Sequence, residues 1–139
     1  MKLAVADTSA LIRLFVPDGP IPPGFEAFVE SAWRADALLL APELALAEAG
    51  QVLHRKVQQG LLQSDQADEI LEAILDLPLE FIGHRELIPA AIKVAQSHRC
   101  TVYDALFVAL AIARGGSLFT ADEALANAFR APRPRQRPG

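Results

Sequence analysis

Cysteine is almost absent from this sequence, since Cys100 is the one cysteine in 139 residues. A single thiol cannot close a disulfide within the chain and has no partners for a thiolate metal site, which excludes disulfide scaffolds and zinc fingers. No apolar run approaches the ~18 residues that a membrane span needs. The apolar N-terminal segment is ended by Asp7 too early for a secretion signal. We therefore expect a cytoplasmic protein.

Two other kinds of catalytic or binding signal are missing. The pair Gly115-Gly116 is not followed by lysine, so the sequence contains no glycine-rich phosphate loop. The three histidines lie far apart and none has a nucleophile at a recognisable spacing. We interpret them as ordinary surface or helix-end residues. The chemistry must therefore come from other side chains.

Positive charge is concentrated at the C-terminus. The whole chain has a net charge of −4, yet its last ten residues contain no acid and four arginines, namely Arg130, Arg133, Arg135 and Arg137. The preceding residues are thus more acidic than the total suggests. Alternating arginine and proline cannot continue a helix, so we expect one folded domain over residues 1–129 and a disordered basic tail over 130–139. The tail either contacts phosphates, such as those of a nucleic acid, or only aids solubility.

Short apolar runs alternate with amphipathic segments along the chain. With 52% hydrophobic residues a substantial core is available. The pattern predicts strands at 2–6, 38–40, 79–82 and 117–120, and helices at 10–15, 24–35, 43–59, 64–76, 86–99, 103–114 and 122–129. Pro89 is expected in the first turn of its helix. This alternation indicates a three-layer α/β/α fold around a parallel sheet of four to five short strands, with a ligand site at their carboxyl ends.

Four acids fall where that edge is expected. Asp7 and Asp122 follow the first and last strands, Asp104 begins the most apolar helix, and Glu48 lies inside a helix on an apolar row. Each aspartate has an alternative role at a helix N-terminus, and the Thr120–Glu123 spacing of a capping box would leave Asp122 in a first turn. Glu48 cannot cap a helix, and no lysine or arginine lies within helical reach of it.

A divalent cation accounts for such a cluster. Carboxylates gathered in one pocket repel one another until a cation neutralises them. Mg²⁺ and Mn²⁺ prefer carboxylate oxygens. Hydrolysis of phosphodiesters is a reaction that a cation in such a site assists. The sequence thus predicts a metal-dependent hydrolase, with a nucleic acid as the favoured substrate.

Four short motifs occur in a fixed order: VADTS at residues 5–9, PELALAE at 42–48, YDALF at 103–107 and TAD at 120–122. In this respect the chain resembles the PIN-domain ribonucleases, in particular the VapC-type toxins of toxin–antitoxin pairs, from Leu3 to about Phe129. The resemblance implies an endoribonuclease with Mg²⁺ or Mn²⁺ held by the four acids, a homodimer, and inhibition by a cognate antitoxin. It also implies that Thr8 and Thr120 orient carboxylates or water. Gln51 stands where many relatives have a supporting asparagine.

Other functions remain to be compared with this one. A domain of the same fold could bind metal or RNA without cutting, although the complete set of acids argues against that. A receiver-like signalling domain needs an acidic pair after the first strand and a lysine after a late strand, and here the last lysine is Lys93. A D-x-D phosphatase is excluded because Ser9 occupies the second acidic position.

Overall fold

The structure, a computed structural model, describes residues 1–130, with the backbone alone for Arg130. The remainder of the predicted basic tail lies outside the described residues. The strands are β1 (Lys2–Ala6), β2 (Ala37–Pro42), β3 (Leu79–Ile82) and β4 (Ser117–Phe119). The helices are α1 (Thr8–Arg13), α2 (Phe25–Trp33), α3 (Leu44–Gln58), α4 (Ser64–Leu75), α5 (His84–His98), α6 (Val102–Arg114) and α7 (Glu123–Arg130).

The four strands form one parallel sheet in the order β3-β2-β1-β4. Residues Ala4, Val5 and Ala6 of β1 are consecutive and all buried, as are residues 39–42 of β2. Successive side chains of a strand point to opposite faces, so helices cover both faces of the sheet. The predicted three-layer α/β/α class is confirmed. The central position of β1 puts Asp7 in the middle of the carboxyl edge.

Two apolar clusters hold the layers together. In the larger one α6 lies against β1 and β2, and all its residues from Ala105 to Ala111 are buried. A smaller cluster joins α1, α3 and α4 through Ile12, Ala49, Leu53 and Ile74. These clusters fix α3 and α6 relative to β1, and therefore fix where Glu48 and Asp104 lie. No helix within residues 1–130 is both long and apolar enough to span a bilayer.

Helix α5 begins earlier than predicted. It starts at His84, so Pro89 lies inside the helix and the prediction that it occupies the first turn is wrong. The Nε2 atom of His84 accepts a hydrogen bond of 2.9 Å from the backbone N–H of Leu44, the first residue of α3. This contact joins the starts of two helices and gives the first N–H of α3 an acceptor from a residue far away in sequence.

Strand β2 is longer than predicted, because it continues through Ala41 and Pro42 instead of ending before them. Pro42 is the last strand residue and pairs with Ile82 of β3. A proline is tolerated at a strand end, where its missing N–H interrupts no further pairing. The next N–H, from Glu43, donates to the carbonyl of Ile82. Trp33, the last residue of α2, is not in the core, since it is 59% exposed.

Candidate active site

One pocket at the carboxyl edge of the sheet brings together all four predicted acids. It has a volume of about 330 Å³. Asp7 reaches it from the end of β1, Glu48 from α3, Asp104 from the first turn of α6, and Asp122 from the junction of β4 and α7. The site is therefore assembled by tertiary structure from four separate elements.

Asp7 is the most buried of the acids, with 5% of its surface exposed. Its Oδ1 atom accepts hydrogen bonds from the N–H of Ala10 at 2.9 Å and from the Ser9 hydroxyl at 2.6 Å. Its Oδ2 atom accepts a short hydrogen bond from the Thr120 hydroxyl. Asp7 is thus the N-cap of α1 and a wall of the pocket at once, because the cap occupies only one of its oxygens.

The hydroxyls of Ser9 and Thr120 connect the ends of β1 and β4. Thr120 Oγ1 also accepts from the N–H of Asp122 at 2.9 Å, and Ser9 Oγ accepts from the N–H of Ala121 at 2.8 Å. Sequence reasoning selected Thr120 and missed Ser9 as a supporting residue. The run of hydroxyl residues after Asp7 was a signal that could have identified it. Together the two hydroxyls fix the Asp7 carboxylate and the segment that carries Asp122.

Asp122 is the N-cap of α7 and not a first-turn acid. Its Oδ1 atom accepts from the N–H groups of Ala124 at 2.9 Å and Leu125 at 3.2 Å. The predicted capping-box alternative for Thr120 is therefore wrong, because its hydroxyl accepts from the N–H of Asp122 and not from that of Glu123. One oxygen of Asp122 thus satisfies the helix N-terminus, while the other accepts no hydrogen bond from the described residues and is available to the pocket.

Glu48 receives one side-chain hydrogen bond, 2.8 Å long, from the hydroxyl of Thr8 to Oε1. It forms no ion pair with any residue in the described part of the chain. The prediction that helix α3 provides no compensating cation therefore agrees with the structure. Thr8 is itself only 9% exposed, so the side chain that donates this hydrogen bond is largely buried.

Three of the acids have a pKa above the ordinary value. Burial raises the pKa of Asp7, and the charge of Asp122 raises it further. The hydrogen bonds that Asp7 accepts lower its pKa, but they do not outweigh burial. Burial also raises the pKa of Glu48, with further contributions from the charges of Asp104 and Asp7. The pKa of Asp104 is raised by burial and then by the charge of Asp122. Burial and neighbouring negative charge therefore disfavour the ionised forms of Asp7, Glu48 and Asp104, as expected of a site that needs a cation.

The donor chemistry fits a hard divalent cation. Carboxylate oxygens are the ligands that Mg²⁺ and Mn²⁺ prefer, and Mg²⁺ commonly binds one or two carboxylates and keeps several waters. Within residues 1–130, no three acidic, histidine or cysteine side chains are close enough to surround one ion. The side chains as they stand thus suit a hydrated ion better than a cage made wholly of protein ligands.

The same pocket has two wall residues that sequence reasoning missed, Arg13 and Asp18. Asp18 forms an ion pair of 2.6 Å with Lys56 of α3. The structure does not bring Gln51 to the pocket, because its side chain points into solvent on α3. The predicted RNA contacts Arg133, Arg135 and Arg137, and the side chain of Arg130, lie outside the described residues.

Comparisons with known proteins agree with this architecture. The PIN domain family matches residues 4–130. The chain is 36% identical over 133 residues to a protein named Ribonuclease VapC3 from Pyrobaculum aerophilum, covering 94% of this chain and 97% of that one. It is 32% identical over 130 residues to Ribonuclease VapC1 from Mycobacterium tuberculosis, covering 92% of each. Its fold is similar to the crystal structure of PAE2754 from Pyrobaculum aerophilum, with a TM-score of 0.70, 22% identity and coverage of 93% and 87%.

Proposed function

Because this chain belongs to the PIN-domain family, among relatives named VapC ribonucleases, we propose that it is an Mg²⁺- or Mn²⁺-dependent endoribonuclease that hydrolyses RNA phosphodiester bonds. One observation carries the proposal: carboxylates from four separate elements line a single pocket, and three of them have a raised pKa. Evolution of a stable fold alone does not favour such a cluster, since like charges in one pocket lower stability.

Asp7, Glu48, Asp104 and Asp122 would hold the cation. When bound, it would neutralise the pocket and stabilise charge that develops on the phosphate. The protein's own contribution is positioning. Thr8 orients Glu48, and Ser9 and Thr120 orient Asp7, so that the carboxylates keep one arrangement while substrate and water enter.

Cleavage of a single-stranded RNA in the presence of Mg²⁺ or Mn²⁺ tests this function. We expect wild-type protein to cut it, EDTA to abolish cutting, and Asp7→Asn and Asp104→Asn each to lower the rate ~10²-fold or more. Asp68→Asn on α4 is a matched control, because it makes the same chemical change at an exposed position away from the pocket. Normal cutting by both pocket variants would show that the acids are not the active site.

A second function is a domain of the same fold that binds metal or RNA without cutting. The observation in its favour is that, within residues 1–130, no three potential ligands already surround one ion position. Saturable Mn²⁺ or RNA binding with no RNA products at any Mn²⁺ concentration would support this alternative over the nuclease.

We further propose that the protein acts in the cytoplasm as the toxin of a toxin–antitoxin pair, with a cognate antitoxin as its inhibitor. The relatives' VapC names support this role. Induced expression should arrest growth, and co-expression of the protein encoded by the adjacent short gene should relieve the arrest. Growth arrest that persists in Asp7→Asn would separate toxicity from cleavage and contradict the proposal.

We also propose a homodimer. Exposed apolar side chains on α5 and α6 support it, namely Ile88, Ile92, Tyr103 and Ile112, which are 36%, 43%, 64% and 39% exposed. Light scattering after size-exclusion chromatography should give twice the mass of one chain. Ile92→Asp should shift the protein toward the monomer, and a wild-type monomer at all concentrations would contradict the dimer.

A further inference from the structure

Arg13 is a cation inside an acidic pocket. Among residues 1–129, whose side chains the structure describes, no other lysine or arginine lines this pocket. Arg13 nevertheless forms no ion pair with an acid of the described chain. A guanidinium surrounded by carboxylates normally pairs with one of them, because that pairing offsets the cost of removing both charges from water. Within the described residues this cation is therefore available to another partner.

Two features accompany the lack of an ion pair at Arg13 within the described residues. Its guanidinium lies against the backbone of Gly19, so closely that a Cβ atom built at Gly19 would overlap with Nη1. The neighbouring acid, Asp18, is paired with Lys56 at 2.6 Å, and the Lys56 side chain is only 13% exposed. In the loop after α1, Gly19 thus leaves room for the Arg13 guanidinium, while Lys56 of α3 pairs with Asp18.

We propose that Arg13 binds a phosphate of the RNA that enters the acidic pocket, with Gly19 and Lys56 as positioning residues. The inference rests on the proposed ribonuclease function. An RNA phosphate that approaches four carboxylates is repelled, and a fixed cation at the wall offsets that repulsion. Arginine suits this role because its planar fork of N–H donors matches two phosphate oxygens at once.

The first test compares Arg13→Gln with Arg55→Gln, which removes the same charge from an exposed position of α3. Binding of a fluorescein-labelled single-stranded RNA of mixed sequence is measured by anisotropy in CaCl₂ over a series of NaCl concentrations, and cleavage is measured in MnCl₂. For Arg13→Gln we expect a tenfold to hundredfold weaker affinity and a KM raised by a similar factor. The slope of log affinity against log salt should become less negative by about 0.7, the value of one single-strand phosphate contact. Arg55→Gln should keep the wild-type slope.

The second test moves the guanidinium without changing any charge. Gly19→Ala forces Arg13 from its position, and the displaced atoms belong to the flexible end of a side chain, so the fold should be retained. We expect the same change in salt slope and an unchanged Tm. Gly50→Ala is the matched control, because a Cβ atom there meets no atom within 4 Å. Lys56→Gln should weaken RNA binding in the same direction, since it releases Asp18 to pair with Arg13.

The two proposals fail in distinguishable ways. Wild-type cleavage together with an unchanged salt slope and KM in Arg13→Gln overturns the role of Arg13 and leaves the ribonuclease intact. A wild-type protein that binds RNA without cutting it contradicts the ribonuclease, and a reduced slope in Arg13→Gln then still supports the phosphate contact. No RNA binding by the wild-type protein in CaCl₂, together with no cleavage in MnCl₂, overturns both.

Discussion

The hydrogen bond between Thr8 and Glu48 offers a sharp perturbation of the pocket. Thr8→Val replaces the hydroxyl by a methyl group of similar size and removes the one side-chain donor to Glu48 among the described residues. The Glu48 carboxylate keeps its place on α3 and its acidic neighbours. The substitution therefore tests orientation and charge stabilisation, with little change in packing volume.

The expected magnitude follows from the contact itself. A hydrogen bond to a charged group contributes about 1.5–3 kcal/mol, and the 2.8 Å length places this one among ordinary to strong bonds. Each 1.4 kcal/mol is about tenfold in an equilibrium, so Thr8→Val should weaken Mn²⁺ binding roughly tenfold to hundredfold. Because the Thr8 hydrogen bond lowers the pKa of Glu48, its loss raises that pKa further and lets protons compete with the cation. The defect should therefore grow as the pH falls and shrink as the pH rises.

The assay is Mn²⁺ titration of the wild-type protein, Thr8→Val and Thr8→Ser by calorimetry, followed by RNA cleavage across a pH series. Thr8→Ser retains the hydroxyl and should recover most of the affinity. Saturating Mn²⁺ should restore much of the cleavage rate of Thr8→Val. An affinity and a pH profile equal to those of the wild-type protein would refute the reasoning that Thr8 stabilises the ionised Glu48.

Three further substitutions test charge, capping and packing. In metal-free protein Glu48→Gln should raise the Tm by about 1–3 °C at pH 7. The pKa of Glu48 is raised in the folded protein, so the wild-type protein loses stability as the pH rises above the ordinary value of 4.5. Scanning calorimetry should show the difference in Tm vanish below that pH, and a lower Tm for Glu48→Gln at pH 7 would contradict the reasoning. His84→Ala should cost about 1 kcal/mol in urea unfolding, since the N–H of Leu44 loses its acceptor, whereas the exposed His54→Ala should change stability little. Phe107→Ala should cost about 3–5 kcal/mol, because Phe107 is 2% exposed in the main core, and a loss below about 1 kcal/mol would contradict that packing.

The order of elements was predictable because each buried strand is a short apolar run between strong helix and turn signals. Strand β3 has the predicted bounds 79–82. The start of α5 at His84 was not predicted, and the hydrogen bond that His84 accepts from Leu44 joins residues 40 positions apart. Periodicity carries information about neighbours along the chain and none about such contacts.

The convergence of Asp7 and Asp122 was predictable from strand ends, while the detailed roles of the acids were not. From sequence, helix capping and pocket lining are alternative roles for Asp7 and Asp122. In the structure each residue has both roles, because a carboxylate has two oxygens. Arg13 and Asp18 could not be selected from sequence. Only the folded loop shows that Lys56 forms an ion pair with Asp18 and that Gly19 leaves room for the guanidinium of Arg13.

The bond from the Thr120 hydroxyl to Asp7 joins residues 113 positions apart. During synthesis the early aspartate therefore emerges long before the strand that must dock beside it. A growing polypeptide lacks a finished pocket until β4 has settled against β1, and a product truncated before β4 never acquires one. Such late completion would spare the translating cell from premature damage by its own nascent nuclease.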